Sequence, residues 1–455
     1  MLTLAGFLTI GVILALLPTS RVAAVVALAG VPIAAALLTG FSPSDIGGFA
    51  ADGIRGVAPV ATMFVFAIVF FGIMRDAGLF DPIIKRIVRL AGNAPVTVCV
   101  ATTALAVVAH LDGAGATTFL IAIPAMLPVF DRLGMSRLVL ATCVGLGAGV
   151  MNIMPWGGPT ARAATTTGVP ANDLWVPLIP AQIAGIITAL IFAAILGRRE
   201  QRRIAAAGGP EAFPDPVDAD EGSERTAKAP APSDPTDLDE AEKALRRPKL
   251  YWFNVALTVA AVVALVFSFS TPELIFLSAA VIALIVNYPG LKAQTARIEA
   301  HGHGAMLMAS TLLAAGVFLG ILEGTTMIEN MAQSAAAVIP AGAAPALPLI
   351  AGILGVPLSL FFGPDAYYFG VLPVLIGIGD QFGVAGIDIA RASIMGQETL
   401  GFPISPMTGS FYLLVGLAGV NIGRHIRHLF FWSWAASLVM LAVAILTGVV
   451  PLWAS

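Results

Sequence analysis

The sequence predicts an all-α polytopic membrane protein made of two repeats inserted with opposite topology. Three observations lead there. Of 455 residues, 58% are hydrophobic and 11% charged, with a mean hydropathy of +0.91, which excludes an ordinary soluble domain. Apolar runs follow one another with short gaps except at 198–249, which holds 22 of the 51 Asp, Glu, Lys and Arg residues. The chain after that segment then replays the chain before it. The expected organisation is a first membrane repeat at 1–197, a disordered cytoplasmic linker at 198–249 and a second membrane repeat at 250–455.

A spanning helix needs ~20 apolar residues. Leu2–Leu17 and Val22–Leu38 are the first candidates, followed by a polar, Gly-rich loop over Gly40–Val57 and a third span at Ala58–Met74. With its first charge at Arg21, the N-terminal run is expected to be a retained helix rather than a cleaved signal. Gly78–Leu90 sets apolar residues at helical spacing opposite Lys85, Arg86 and Arg89, the pattern of an interfacial amphipathic helix. Residues 95–130 read as a re-entrant hairpin. Its two arms are each expected to be too short to span, and they flank the polar tip His110-Leu111-Asp112-Gly113-Ala114-Gly115-Ala116-Thr117-Thr118. Residues 138–168 read as a broken helix, because Met151–Thr160 carries two prolines and two glycines.

The second half repeats these parts. Leu250–Phe267, Leu274–Val286 and Gly304–Leu322 are spans, and Thr325–Ile339 takes the amphipathic position. A second hairpin covers 346–378 around Gly363-Pro364-Asp365-Ala366-Tyr367, and a second broken helix covers 387–418 with its break at Phe402–Ser410. Pro155 and Thr160 fall on Pro403 and Thr408 at one constant offset. The first amphipathic helix is basic, whereas its counterpart has Glu323 and Glu329 in or beside it. The positive-inside rule therefore puts the first inside and the second outside, with both termini outside. Inverted repeats with broken helices near mid-membrane point to a secondary transporter.

The polar groups inside this apolar frame are the candidate site. Asp112 and Asp365 occupy matching tips and read as cation or proton sites, because carboxylates at membrane depth are expensive. Helix capping or an ordinary turn is the alternative. Asn152, Gly157, Thr160, Ser405, Thr408 and Ser410 lie in the breaks, where half-helix starts suit anions and half-helix ends suit cations. The plainer reading is that their hydroxyls re-satisfy backbone freed by proline. Glu398 suits a proton or a metal, or simply a membrane boundary. Gly113 and Gly115 free the tip backbone, and Thr117 and Thr118 are ligands or cap hydroxyls. His110 is a proton relay or a structural group. Arg162 suits a substrate carboxylate, or an ion pair with Asp173 or another acid. Trp156, Tyr367, Tyr368 and Tyr412 are discounted as ordinary interface aromatics.

No enzyme constellation, P-loop, disulfide framework or nucleic-acid-binding stripe is present in the sequence. With its tips at Leu111–Thr118 and Gly363–Tyr367, its breaks at Asn152–Thr160 and Phe402–Ser410, and an acidic linker between, the chain resembles the CitMHS family of citrate–metal:proton symporters. These belong to the ion transporter superfamily. The resemblance implies a scaffold domain, often dimerising, and a transport domain that holds both hairpins and both breaks and moves like an elevator in the cell membrane. It implies citrate carried as a Mg²⁺ or Ca²⁺ complex together with protons, with no permanently bound cofactor. Sodium-coupled relatives usually carry Ser-Asn-Thr at their tips, where this chain has Asp112-Gly113 and Pro364-Asp365.

The residue-level reading is compatible with that implication. A site holding Asp112, Asp365 and Glu398 repels a bare tricarboxylate, whereas a metal accepts carboxylate oxygens. The expected metal set is therefore Asp112, Asp365 and Glu398. The other readings are a proton- or sodium-coupled carrier of gluconate or a dicarboxylate, and a cation/proton antiporter.

Overall fold

A computed structural model describes residues 1–17, 22–213, 215–219, 240–337 and 342–454. All its regular elements are helical. The first half runs α1 (Leu2–Leu16), α2 (Val31–Leu38), α3 (Pro43–Asp76), α4 (Asp81–Ala91), α5 (Pro95–Ala109), α6 (Gly115–Arg132), α7 (Arg137–Met151), α8 (Gly158–Thr167), α9 (Ala171–Trp175) and α10 (Ile179–Ala206). After α11 (Glu240–Leu245), the second half runs α12 (Tyr251–Val266), α13 (Pro272–Asn287), α14 (Leu291–Gly324), α15 (Met327–Ala336), α16 (Leu347–Leu358), α17 (Leu372–Gln381), α18 (Gly386–Met395), α19 (Gly409–Ala418) and α20 (Ile422–Leu446). Six helices among the described residues are long and apolar enough to cross a membrane. The pair Gly386–Ile404 and Gly409–Ala418, bent by 44°, makes a seventh.

The expected loop at Gly40–Val57 is not a loop. Ser42 caps a helix that runs unbroken for 34 residues, accepting from the Asp45 amide at 3.2 Å while the Asp45 carboxylate accepts from the Ser42 amide at 3.2 Å. Of the glycines that suggest a loop, Gly53 serves helix packing, while Gly47, Gly48 and Gly56 meet open space. A methyl group on Gly53 would meet the carbonyl of Gly316 and come within 3.0 Å of the Gly320 Cα. α14 places Gly316, Gly320 and Gly324 on one face at four-residue spacing, and that face lies against Phe49, Gly53 and Val57 of α3. Close backbone approach of this kind is how membrane helices bind without a hydrophobic driving force. α3 and α14, each 34 residues long, thus form the central pair, and α13 packs on α3.

Around that pair, α5 lies against α7 and α10, α16 packs on α18, and α20 crosses α7, α10 and α16. α5 with its 3-10 extension reaches Asp112 and is 18 residues long. The first arm of this hairpin is therefore long enough to cross on length alone, contrary to the sequence expectation. The polar residues His110 and Asp112 read as a non-helical tip in the sequence, whereas they extend the helix by one 3-10 turn.

The linker expectation also needs correction at both ends. α10 continues through Arg198–Arg203 to Ala206, and the chain beyond it docks. The Phe213 ring lies 4.4 Å from the Arg203 guanidinium carbon, the Arg137 amide donates to the Val217 carbonyl at 3.0 Å, and Asp218 engages Ser136 and Arg424. At the far end, Arg246 donates to the carbonyls of Arg75 (2.8 Å) and Asp76 (3.0 Å), pairs with Asp81 at 2.8 Å, and is followed by Arg247, which donates to Asn287 O at 2.7 Å. Helix-end carbonyls have no partner of their own, and these arginines supply one. Residues 214 and 220–239 of the expected linker lie outside the described residues.

The α3–α14 crossing makes a direct prediction. Gly53→Val should force the two backbones apart and lower stability by ~1–3 kcal/mol, the usual range for overpacking. Gly47→Ala, where a methyl group meets open space, should leave the melting temperature of the detergent-purified protein unchanged or raised.

Candidate functional site

The site forms where both hairpin tips meet both helix breaks. At the first tip, α5 ends at Ala109, His110–Asp112 makes one 3-10 turn, and Gly113 turns the chain at φ 72°. Glycine is required here twice over. The conformation is left-handed, and a side chain would come 2.9 Å from the Trp156 carbonyl. Asp112 accepts from the Ala114 amide at 2.9 Å, fixing the start of α6, while its other oxygen lies 3.5 Å from Arg75. Arg75 also donates to Thr117 at 3.0 Å. Thr118 donates to Ala114 O at 3.0 Å and lies 2.8 Å from His110 Nδ1.

The first break occupies 152–157. Asn152 is its hub, with Nδ2 donating to the Glu398 carbonyl at 2.6 Å and Oδ1 3.2 Å from His110 Nε2. Because the Asn152 oxygen must accept, His110 donates through Nε2. The Thr160 hydroxyl donates to Ile153 O at 2.6 Å, re-satisfying a carbonyl that the break released. Gly157 has no room for a methyl group against the Asn152 carbonyl. Trp156 donates from Nε1 to Leu111 O at 2.9 Å, joining break to tip.

The second break begins earlier than the sequence suggested. Gln397 is extended (ψ 117°) and Glu398 is left-handed (φ 56°), so the chain leaves helical geometry before Phe402. Glu398 is 2% exposed, and its Oε1 has no hydrogen-bond partner. A non-glycine residue at positive φ, with a buried unpartnered carboxylate oxygen, is strain of the kind that collects at functional sites. The Tyr368 hydroxyl donates to the freed Gln397 carbonyl at 2.9 Å, and the Glu398 amide donates to Ser359 at 3.1 Å. Ser405 is a side-chain neighbour of Glu398, and Thr408 donates toward the Ser405 and Phe402 carbonyls at 3.1 and 3.2 Å. At the second tip Asp365 turns to Arg162, which donates through Nε at 2.7 Å and through Nη1 to Gly158 O at 3.2 Å. Arg162 therefore pairs with Asp365. Asp173 is not its partner and instead gives its carbonyl to Arg391.

These parts line a half-open cavity of ≈ 150 Å³. The first tip contributes Gly113 and Gly115, the first break and α8 contribute Asn152, Gly158, Pro159 and Arg162, and the second tip contributes Pro364. Glu398, Phe402, Thr408 and Ser410 come from the second break, and Phe64 and Met308 from the central helices. Gly115, Gly158 and Ser410 are first-turn residues of α6, α8 and α19, so three helix N-termini open onto one space. Free N–H groups and aligned dipoles at helix N-termini favour anions.

Seven predicted residues line it: Gly113, Gly115, Asn152, Arg162, Glu398, Thr408 and Ser410. Thr118, Thr160 and Ser405 are fully buried bracing groups, Gly157 is a close-packing position, and Asp112 and Thr117 face Arg75. Asp112, Asp365 and Glu398 are not gathered into one cation-holding set. Among the described residues no three acidic, His or Cys side chains come together that way. The reason is local, since Asp112 is spent on Arg75 and Ala114, and Asp365 on Arg162. Sequence reasoning missed Phe64 and Met308, which are apolar residues in apolar runs and carry no local signal, and it placed Phe402 in the second break without assigning it to the site. It also missed Arg75, whose basic side chain at the end of an apolar run was a usable one.

Residues 7–396 match the family described as CitMHS, citrate transporter. The chain belongs to this family. Two relatives from Bacillus subtilis (strain 168) match nearly end to end. The chain is 41% identical over 450 residues to a citrate transporter and 39% identical over 452 residues to a Mg(2+)/citrate complex secondary transporter, with 99% of this chain and 100% of each relative covered. The solved YdaH transporter of Alcanivorax borkumensis shares the fold, with a TM-score of 0.58 and 17% identity over 89% of this chain and 88% of that one. This CitMHS chain is accordingly a multi-pass membrane protein of a transporter family, and not an enzyme.

The Asn152 hub is open to test. Asn152→Ala leaves the Glu398 carbonyl buried without its donor, which should lower stability by ~1–3 kcal/mol. The melting temperature of the purified protein should fall accordingly, and transport should fall with it.

Proposed function

We propose that the protein carries citrate across the cell membrane as a complex with a divalent cation, Mg²⁺ or Ca²⁺, coupled to protons. The observation that carries this reading is the convergence of three helix N-termini on a cavity lined by a single cation, Arg162, among the described residues. N–H groups and one guanidinium favour a carboxylate ligand. Arg162 is half-neutralised by Asp365, and Glu398 adds a second acid, so the lining does not suit a bare trianion. A citrate trianion joined to a divalent cation keeps one negative charge. The relative named as a Mg(2+)/citrate complex secondary transporter supports the same substrate. An antiporter of cations alone gives these helix N-termini nothing to bind.

Glu398 is the group we assign to proton coupling. It lines the cavity, is buried, and has an oxygen free of protein partners. A carboxyl there can bind a proton on the side of higher proton concentration and release it on the other. The reading further includes two repeats of opposite topology, re-entrant hairpins, a cytoplasmic linker, an elevator-like movement of the tips and breaks against α3 and α14, and a homodimer. The equal lengths of α3 and α14 and the matching order of elements in the two halves support the repeats.

Uptake of labelled citrate into proteoliposomes should fall at least about tenfold when divalent cations are removed, as expected for loss of one strong charge interaction. It should rise with an inward proton gradient. Uptake indifferent to both conditions overturns the reading. Glu398→Gln should abolish gradient-driven accumulation while citrate–citrate exchange across the membrane continues.

A further inference from the structure

The ion pair between Arg162 and Asp365 has an unusual placement. Arg162 comes from the half-helix after the first break, lines the cavity, and is 8% exposed. Asp365 comes from the opposite hairpin tip and approaches the guanidinium from its Nε edge at 2.7 Å. A second bond, from Nη1 to Gly158 O at 3.2 Å, fixes the plane of the group. The guanidinium is thus held rigidly, with its remaining N–H groups free for a ligand carboxylate and its charge offset from behind. A cargo entering the cavity meets the positive end of a dipole rather than an isolated cation. The other ionisable group on the lining is Glu398, which adds no positive charge.

We propose that Asp365 is a specificity determinant that sets the net charge of the cargo the site accepts. It acts through Arg162, as a positioning residue that also screens it, and not as a ligand of the metal in the cargo. With Asp365 ionised, the lining favours a singly charged anion and gives a multiply charged one too little return for its lost hydration. Removing that one negative charge while keeping the acceptor leaves Arg162 in place as a full cation, and the preference moves toward a more highly charged, metal-free anion. Specificity of this kind is a difference between two affinities, set here by a repulsive element against the wrong cargo. The proposal rests on the citrate–metal reading above.

The test uses purified full-length wild type, Asp365→Asn, Asp365→Ser and Asp365→Glu, each required to elute as a single monodisperse species. Citrate affinity is measured for each by thermal stabilisation, in Mg²⁺ and in buffer stripped of divalent cations by a chelating resin. The wild type should prefer the Mg²⁺ condition. Both neutral variants should shift the affinity ratio toward metal-free citrate by about tenfold or more, the size expected for one unscreened charge at close range. Asp365→Glu should restore the preference for the complex. A monodisperse neutral variant that keeps the wild-type ratio overturns the proposal. So does one that loses only the Mg²⁺–citrate affinity, since Asp365 then holds the metal. A wild type indifferent to Mg²⁺ overturns the citrate–metal reading instead, and this proposal falls with it.

Discussion

The hydrogen bond from the Asn152 side-chain amide to the Glu398 carbonyl joins the two helix breaks, and with the Arg162–Asp365 pair it ties the two halves of the molecule together at the site. Its necessity is physical. A broken helix in an apolar environment releases backbone groups that have no water to bind, and each unsatisfied one costs several kcal/mol. This protein breaks two helices at the same place, and groups of the first break and the second hairpin satisfy the backbone of the second break. Asn152 of the first break satisfies a carbonyl of the second, Tyr368 satisfies the carbonyl beside it, and Ser359 accepts from the intervening amide. Glu398, which lines the cavity, keeps one oxygen without a protein partner, and the first turns of α6, α8 and α19 open onto the same space.

Rigidity and charge are distributed around that arrangement in a consistent way. The α3–α14 pair meets backbone to backbone at Gly53, Gly316 and Gly320, and it presents only the apolar Phe64 and Met308 to the cavity. The polar work falls to the tips and breaks. Each tip aspartate is matched by an arginine from elsewhere, Asp112 by Arg75 and Asp365 by Arg162. Only Arg162 of these two arginines lines the cavity. The site is therefore a set of oriented dipoles with one partly screened cation, which suits a carboxylate ligand of low net charge.

Much of this was legible in the sequence. Two prolines and two glycines within 151–160 announce a break, and the Asp-Gly-Ala-Gly run at 112–115 announces a turn at membrane depth. The errors have specific causes. Glycines at 47, 48, 53 and 56 look like loop residues, because a one-dimensional pattern cannot tell a flexible glycine from one such as Gly53 that admits a neighbouring helix, or from glycines at 47, 48 and 56 that a capped helix simply carries on an open face. The three carboxylates looked like a metal set because the arginines that occupy two of them are distant in sequence, Arg75 by 37 residues from Asp112 and Arg162 by 203 from Asp365. The second break was placed a few residues late because Gln397 and Glu398 carry no proline or glycine to mark their turn. Phe64 and Met308 were invisible, since a cavity wall and a lipid-facing wall use the same apolar side chains.

The docked ends of the linker bear on how orientation is encoded. Arg203, Arg246 and Arg247 belong to the basic clusters from which the positive-inside rule reads an expected orientation, yet each also fastens onto a backbone carbonyl, of Gly134, of Arg75 and Asp76, and of Asn287. These side chains close helix termini in the folded protein, independently of any part in setting its orientation. Charge-swap scans that treat such arginines purely as orientation markers will record a lost fastening as though it were an inverted protein.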